Sequence, residues 1–147
     1  MPDYWDSSCL LKLYCQETDS AAFREKIAAS SEPPVSSVLA KTELSHAFQH
    51  KAARGETGNR PAAEFLRFLE KDIRLGRLQF FPVGSDVLKA AEMIAAKCYG
   101  TTEPIFLRTL DGIHLATAQL TKSARIISTD ARMNAAAQIL GMRRFTD

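Results

Sequence analysis

Apolar positions along the chain alternate between two periods. Around Tyr4 and Trp5 a short aromatic run reads as a strand, and "DSSCLLKLYCQE" then takes up helical spacing, with Leu10, Leu13 and Tyr14 on one face. A second helix is predicted from Ser20 to Ser30, its stripe formed by Ala22, Phe23 and Ile27. The prolines of "EPPVSSV" break helix and leave room for a brief strand near Val35. Residues 38 to about 54 return to helical spacing, and "RGETGNRP" connects them tightly to a fourth helix carrying Phe65, Leu66 and Leu69, so that the two form a hairpin.

Further on, "RLQFFPV" alternates and reads as a strand, followed by an alanine-rich helix from about Ser85 to Lys97. After "YGTTEP" come a helix over "DGIHLATAQL", a strand at "ARIIS", a helix from Ala131 to Leu140 stopped by Gly141, and a last strand at "RRF". Strands separated by helices, with no repeat, low-complexity tract or linker, predict an α/β layered fold around a mainly parallel sheet. At 147 residues the chain is expected to form a single domain, residues 1–147.

Composition narrows the function only a little. The chain is 46% hydrophobic and 24% charged, ordinary values for a globular protein, and its net charge of +2 neither demands nor excludes an anionic partner. The acids of "MPDYWDSSC" do not suit a secretory signal, and no apolar run has membrane-spanning length, so a cytoplasmic protein without membrane contact is expected. Cys9, Cys15 and Cys98 are odd in number, lack a C-x-x-C pattern and are expected to be reduced thiols.

The candidate chemistry lies in four acids at element ends. Asp6 follows the first strand, Asp130 follows "ARIIS", Asp111 opens its helix, and Glu43 sits one turn inside the third helix. In an open parallel sheet the carboxyl ends of strands and the amino ends of helices face one crevice, so these acids could converge. Singly, Asp6 or Asp130 could be no more than a helix N-cap, and Glu43 a solvated helix residue. Together, carboxylates about 5 Å apart would repel by about 3 kcal/mol per pair at an effective dielectric near 20, which calls for protons or a cation. Hard oxygen donors without thiolate favour Mg2+ or Mn2+.

The blocks "DSSCLLKLYCQE", "SSVLAKTELSHAF", "LDGIHLATA" and "ISTDARM" resemble, in order, the four signature regions of PIN domains, most closely those of VapC-type toxins of bacterial toxin–antitoxin pairs. The resemblance implies a three-layer α/β/α fold with a small, mainly parallel sheet and a protruding helical hairpin. It implies that Asp6, Glu43, Asp111 and Asp130 surround Mg2+ or Mn2+ and catalyse metal-dependent endoribonucleolytic cleavage that leaves a 5′-phosphate and a 3′-hydroxyl. Asp6 and Asp111 would be the principal ligands, Glu43 a ligand or water orienter, and Asp130 a ligand of a second metal or of the outer shell. Ser8, Ser128 and Thr129 are candidates for holding the carboxylates in place, or simple cap and turn residues. An RNA substrate, a VapB-type antitoxin and a homodimer are the implied partners. One departure is Gly112, where the family usually has alanine.

Other readings are weaker. Glu43-x-x-His46 and Asp111-x-x-His114 imitate a di-iron bundle, but Asp6 and Asp130 follow strands rather than lying on long helices. His46 and His50 lack a third zinc ligand, and His114 is expected to be a hydrogen-bonded packing residue. No G-x-S-x-G elbow, Walker loop or G-x-G-x-x-G turn is present. A PIN-like protein that binds metal or RNA without cutting is the alternative left by the residues alone. Lys41, Lys51, Arg54 and Arg60, on or near the hairpin, are candidate phosphate contacts or a solvated charged face.

Overall fold

A computed structural model describes residues 1–147. The chain runs β1 (Asp3–Trp5), α1 (Ser7–Tyr14), α2 (Ser20–Ala29), β2 (Val35–Ser37), α3 (Val38–Ala53), α4 (Ala62–Arg74), β3 (Gln79–Phe81), α5 (Ser85–Tyr99), α6 (Thr109–Leu120), β4 (Arg125–Ile127), α7 (Ala131–Ile139) and β5 (Arg143–Arg144). Every strand pairing is parallel, in the order β3-β2-β1-β4-β5. The chain builds outward from β1 to β2 and β3, then returns to the other side for β4 and β5. The β1–β4 pair is therefore the point where the strand order reverses, the place where an open α/β sheet leaves a crevice at its carboxyl edge.

Side-chain alternation along the strands divides the core in two, since neighbouring residues of a strand face opposite sides of the sheet. Tyr4, Val35 and Ile126 face a layer containing Ile94 of α5, Leu115 of α6 and Met133 of α7. Trp5 and Ile127 face the opposite layer, with Leu10 of α1, Phe23 of α2, Leu44 and Phe48 of α3, and Phe65 and Leu69 of α4. Both faces are covered, which is why the strands read as short apolar runs. Asp3, Tyr4 and Trp5 align with Arg125, Ile126 and Ile127, and the ladder continues as the Asp6 amide donates to the Ile127 carbonyl at 3.0 Å. That bond fixes where the chain leaves β1 and so where the Asp6 side chain starts.

The α3–α4 hairpin is joined to the second core through Phe48 and Phe65, whose rings stack at 5.4 Å. Its connection needs Gly55 and Gly58, which hold φ of 72° and 62°, a left-handed conformation that disfavours side chains. Two apolar stripes differ from the sequence expectation. In α2 it is Ser20 with Phe23 that is buried, while Ala22 is exposed, because Ser20 hydrogen-bonds back to Cys15 and Glu17 and turns the helix start inward. In α1, Cys9 and Leu10 are fully buried, whereas Leu13 and Tyr14 are only half-buried. All three cysteines are free and buried, and burial with the nearby Asp6 charge pushes the Cys9 thiol up to about 12. No helix is long and apolar enough to cross a membrane.

Candidate active site

Asp6 occupies the N-cap position of α1 in extended backbone (φ −66°, ψ 148°), yet its carboxylate makes no capping bond. Instead Oδ2 accepts from the hydroxyls of Ser8 at 3.1 Å and Ser128 at 3.0 Å, while Oδ1 has only a long contact from Ser7 at 3.4 Å. Ser128 reaches across from the end of β4 and also accepts from the Asp130 amide at 3.1 Å, tying the two strand ends together.

Asp130 does cap its helix. Its Oδ1 accepts from the amides of Arg132 at 2.9 Å and Met133 at 3.0 Å, leaving Oδ2 for other partners. The capping and site readings are compatible here, because a carboxylate has two oxygens.

Asp111 opens a continuous buried stretch of α6 that ends at Ala118 and is itself only 7% exposed. A charge this deep requires a partner, and Arg108 supplies it. The guanidinium Nε donates to Asp111 Oδ2 at 2.9 Å, and a terminal nitrogen lies 3.5 Å from Asp130 Oδ2. Asp111 foremost, then Asp130 and Asp6, push the Arg108 guanidinium further up, so three of the four acids act on one cation. The sequence reading missed Arg108. Its signal was spacing: three residues before Asp111 at a helix start, an arginine shares that acid's face.

Glu43 approaches from α3 and is held differently. His114, 1% exposed, puts Nε2 at 2.6 Å from Glu43 Oε1 and Nδ1 at 2.6 Å from the Tyr4 hydroxyl. The expectation of a hydrogen-bonded, packed His114 is met, with Glu43 as a partner the sequence did not reveal. Glu43 opens on a depression of about 380 Å³ lined with Leu39, Thr42, His46 and Leu110.

Of the two roles open to Thr129, that of a turn residue fits better: it is exposed, and its hydroxyl makes no hydrogen bond to any of the acids. Past the end of β4, Ser128 is buried and reaches Asp6, whereas Thr129 lies at the surface. The basic candidates are also already engaged. Lys41 pairs with Glu70, Lys51 with Glu17 and Glu56, Arg54 with Glu56, and Arg60 with Glu64.

Each of the four acids thus has one oxygen anchored by the chain. Asp111 Oδ1 and Glu43 Oε2 accept no hydrogen bond from the protein, Asp6 Oδ1 has only the Ser7 contact, and Asp130 Oδ2 only Arg108. Four hard oxygens, two without a protein partner and two with one long contact each, fit Mg2+ or Mn2+ by donor type. As arranged, however, no three acid, His or Cys side chains converge tightly enough to hold a metal ion. Arg108 lies against both Asp111 and Asp130 in this arrangement and offsets part of their charge.

The family model of the PIN domain matches residues 4–139. Ribonuclease VapC46 from Mycobacterium tuberculosis is 36% identical over 141 residues, covering 95% of this chain and 92% of that protein. Among solved structures, VapC20 from the same organism, described as a sarcin-ricin loop cleaving toxin, is similar with a TM-score of 0.67 at 15% identity, over 91% of this chain and 94% of the other. A toxin–antitoxin complex from Klebsiella pneumoniae gives 0.62 at 15% identity, covering 90% of each chain. FitAcB from Neisseria gonorrhoeae gives 0.59 at 14% identity, over 97% and 96%. With the family match spanning nearly the whole chain and a VapC relative at this identity, the chain belongs to the PIN domain family, in its VapC group.

Proposed function

We propose that this protein is a Mg2+- or Mn2+-dependent endoribonuclease, the toxin of a toxin–antitoxin pair, acting in the cytoplasm as one domain over residues 1–147. The observation that carries the reading is the pairing of Asp111 and Asp130 with one guanidinium, that of Arg108, while Ser128 ties Asp6 to the Asp130 backbone at the β1–β4 switch point. Its kinship to a ribonuclease over 95% of the chain supports RNA as substrate, and the toxin–antitoxin complex among its structural neighbours supports a VapB-type antitoxin as partner. A homodimer follows from the family resemblance.

Asp6 and Asp111 would be the principal metal ligands, Glu43 a ligand or water orienter, and Asp130 the outer ligand through Oδ2. A bound divalent cation supplies Lewis acidity towards a phosphodiester and neutralises charge developing on the leaving oxygen. The chain's own contribution is orientation. Ser8 and Ser128 aim Asp6, the α7 amides aim Asp130, and His114 aims Glu43. Arg108, paired with both aspartates yet 67% exposed at the rim, would be placed to meet a substrate phosphate.

The test is cleavage of total cellular RNA by purified protein with Mn2+ or Mg2+ and with chelator, ends mapped by sequencing. Discrete metal-dependent sites bearing 5′-phosphates, absent in Asp6→Asn, are expected. Cleavage that persists in Asp6→Asn or in chelator would contradict the assignment.

A further inference from the structure

The chain of hydrogen bonds behind Glu43 has a direction that the geometry fixes. The Ser37 backbone N–H can only donate, and it reaches the Tyr4 hydroxyl oxygen at 3.1 Å. The phenol has a single hydrogen to give while its oxygen accepts from Ser37, and His114 Nδ1 at 2.6 Å is the acceptor for it. An Nδ1 that accepts leaves the ring hydrogen on Nε2, and that N–H faces Glu43 Oε1 at 2.6 Å. Tyr4 and His114 are among the most deeply buried side chains of the molecule and meet edge to face at 5.9 Å, so neither ring is free to turn.

We propose that Ser37, Tyr4 and His114 form a one-way relay in which His114 is a positioning residue, its Nε2–H holding Glu43 Oε1 so that Oε2 is presented to the metal site. The relay spans three elements, since β1 supplies Tyr4, the end of β2 supplies Ser37 and α6 supplies His114. It couples the orientation of an α3 side chain to the sheet that carries Asp6. This inference rests on the proposed role of Glu43 in the site.

Two measurements test it on the full chain. In the metal-free protein, ¹⁵N NMR of the histidine side chains should show His114 as the Nε2–H tautomer alone; an Nδ1–H tautomer or a mixture overturns the relay. Mn2+ affinity, read by electron paramagnetic resonance, should fall in Glu43→Gln and fall by about tenfold in His114→Leu, the size usual for a group that orients a ligand. His114→Gln, whose side-chain amide N–H can replace Nε2–H, should stay within about threefold of wild type. Full affinity in His114→Leu together with a loss in Glu43→Gln overturns the relay and leaves the site standing. Unchanged affinity in Glu43→Gln overturns the site assignment, and the positioning role with it. Should His114→Leu fail to fold, Tyr4→Phe keeps the ring packing but removes the hydroxyl that holds Nδ1, and should lower Mn2+ affinity severalfold; unchanged affinity there overturns the proposal.

Discussion

At the residue scale, each of the four carboxylates keeps one oxygen anchored by the chain and the other less engaged. Asp6 shows it most plainly: Oδ2 is held by two hydroxyls from different strand ends, and Oδ1 is left open. Asp6→Asn should therefore lose at least about a hundredfold in metal-dependent cleavage, more than an orienting residue costs, with an unchanged melting temperature. Ser128→Ala, which leaves Asp6 with Ser8 and removes the acceptor of the Asp130 amide, should cost about tenfold in activity. Kinetics beside thermal melts check both, and equal activity of Asp6→Asn and wild type would contradict the assignment. Arg108 makes a prediction of opposite sign. Because it competes with a divalent ion for Asp111 and Asp130, Arg108→Ala should bind Mn2+ severalfold more tightly than wild type in calorimetric titration. Weaker binding would mean that the guanidinium orders the aspartates instead of competing for them.

At the scale of elements, the helices that carry the acids follow different local rules. Asp130 is an N-cap as well as a proposed ligand, so Asp130→Ala should destabilise the fold by about 1 kcal/mol whereas Asp130→Asn, which keeps the acceptor, should not. Chemical denaturation of the two variants separates the cap from the chemistry. Gly112 lies in the first half of α6, where a Cβ would meet Leu107 at 3.7 Å and Ala91 at 3.9–4.0 Å, ordinary contact distances. Gly112→Ala should thus stabilise the protein by about 0.5–1 kcal/mol, by removing the entropic cost of a helical glycine without a clash. The same elements show what the sequence could tell. Helix spacing and the Pro and Gly breaks placed all twelve elements, and strand-helix order placed Asp6 and Asp130 at one sheet edge. Contacts between distant segments were not legible. Ser128 and Asp6, His114 and Glu43, and Tyr4 and His114 meet only through packing of the sheet against α3 and α6, and no periodicity encodes such pairs. For Thr129 the sequence left open a carboxylate holder or a turn residue, and its exposed position past the end of β4 favours the turn.

At the scale of the molecule, a two-sided core carries Asp6 and Asp130 at strand ends where the strand order reverses, with Arg108 lying against Asp111 and Asp130. The same burial has a pH consequence. The Cys9 thiol, ordinarily near 9.0, is pushed up to about 12 by burial, and burial with the Asp72 carboxylate likewise pushes the Tyr14 phenol up. Both groups lose protons more readily unfolded than folded, so their effect on stability is absent below the ordinary pKa of each. Stability should fall as pH climbs through the window above it, from about 9 to about 12 for Cys9. Urea denaturation at pH 8 and pH 10.5 should show a lower midpoint at the higher pH, and an equal or higher midpoint would contradict this. The central claim is that the acids of the β1–β4 edge belong to one divalent-cation site. An anomalous difference map from a crystal soaked in Mn2+ tests it most directly: a peak within ligand distance of both Asp6 and Asp111, with Arg108 turned away, is the predicted result. Density elsewhere, or an Arg108 still bridging Asp111 and Asp130 beside a vacant edge at saturating Mn2+, would contradict it.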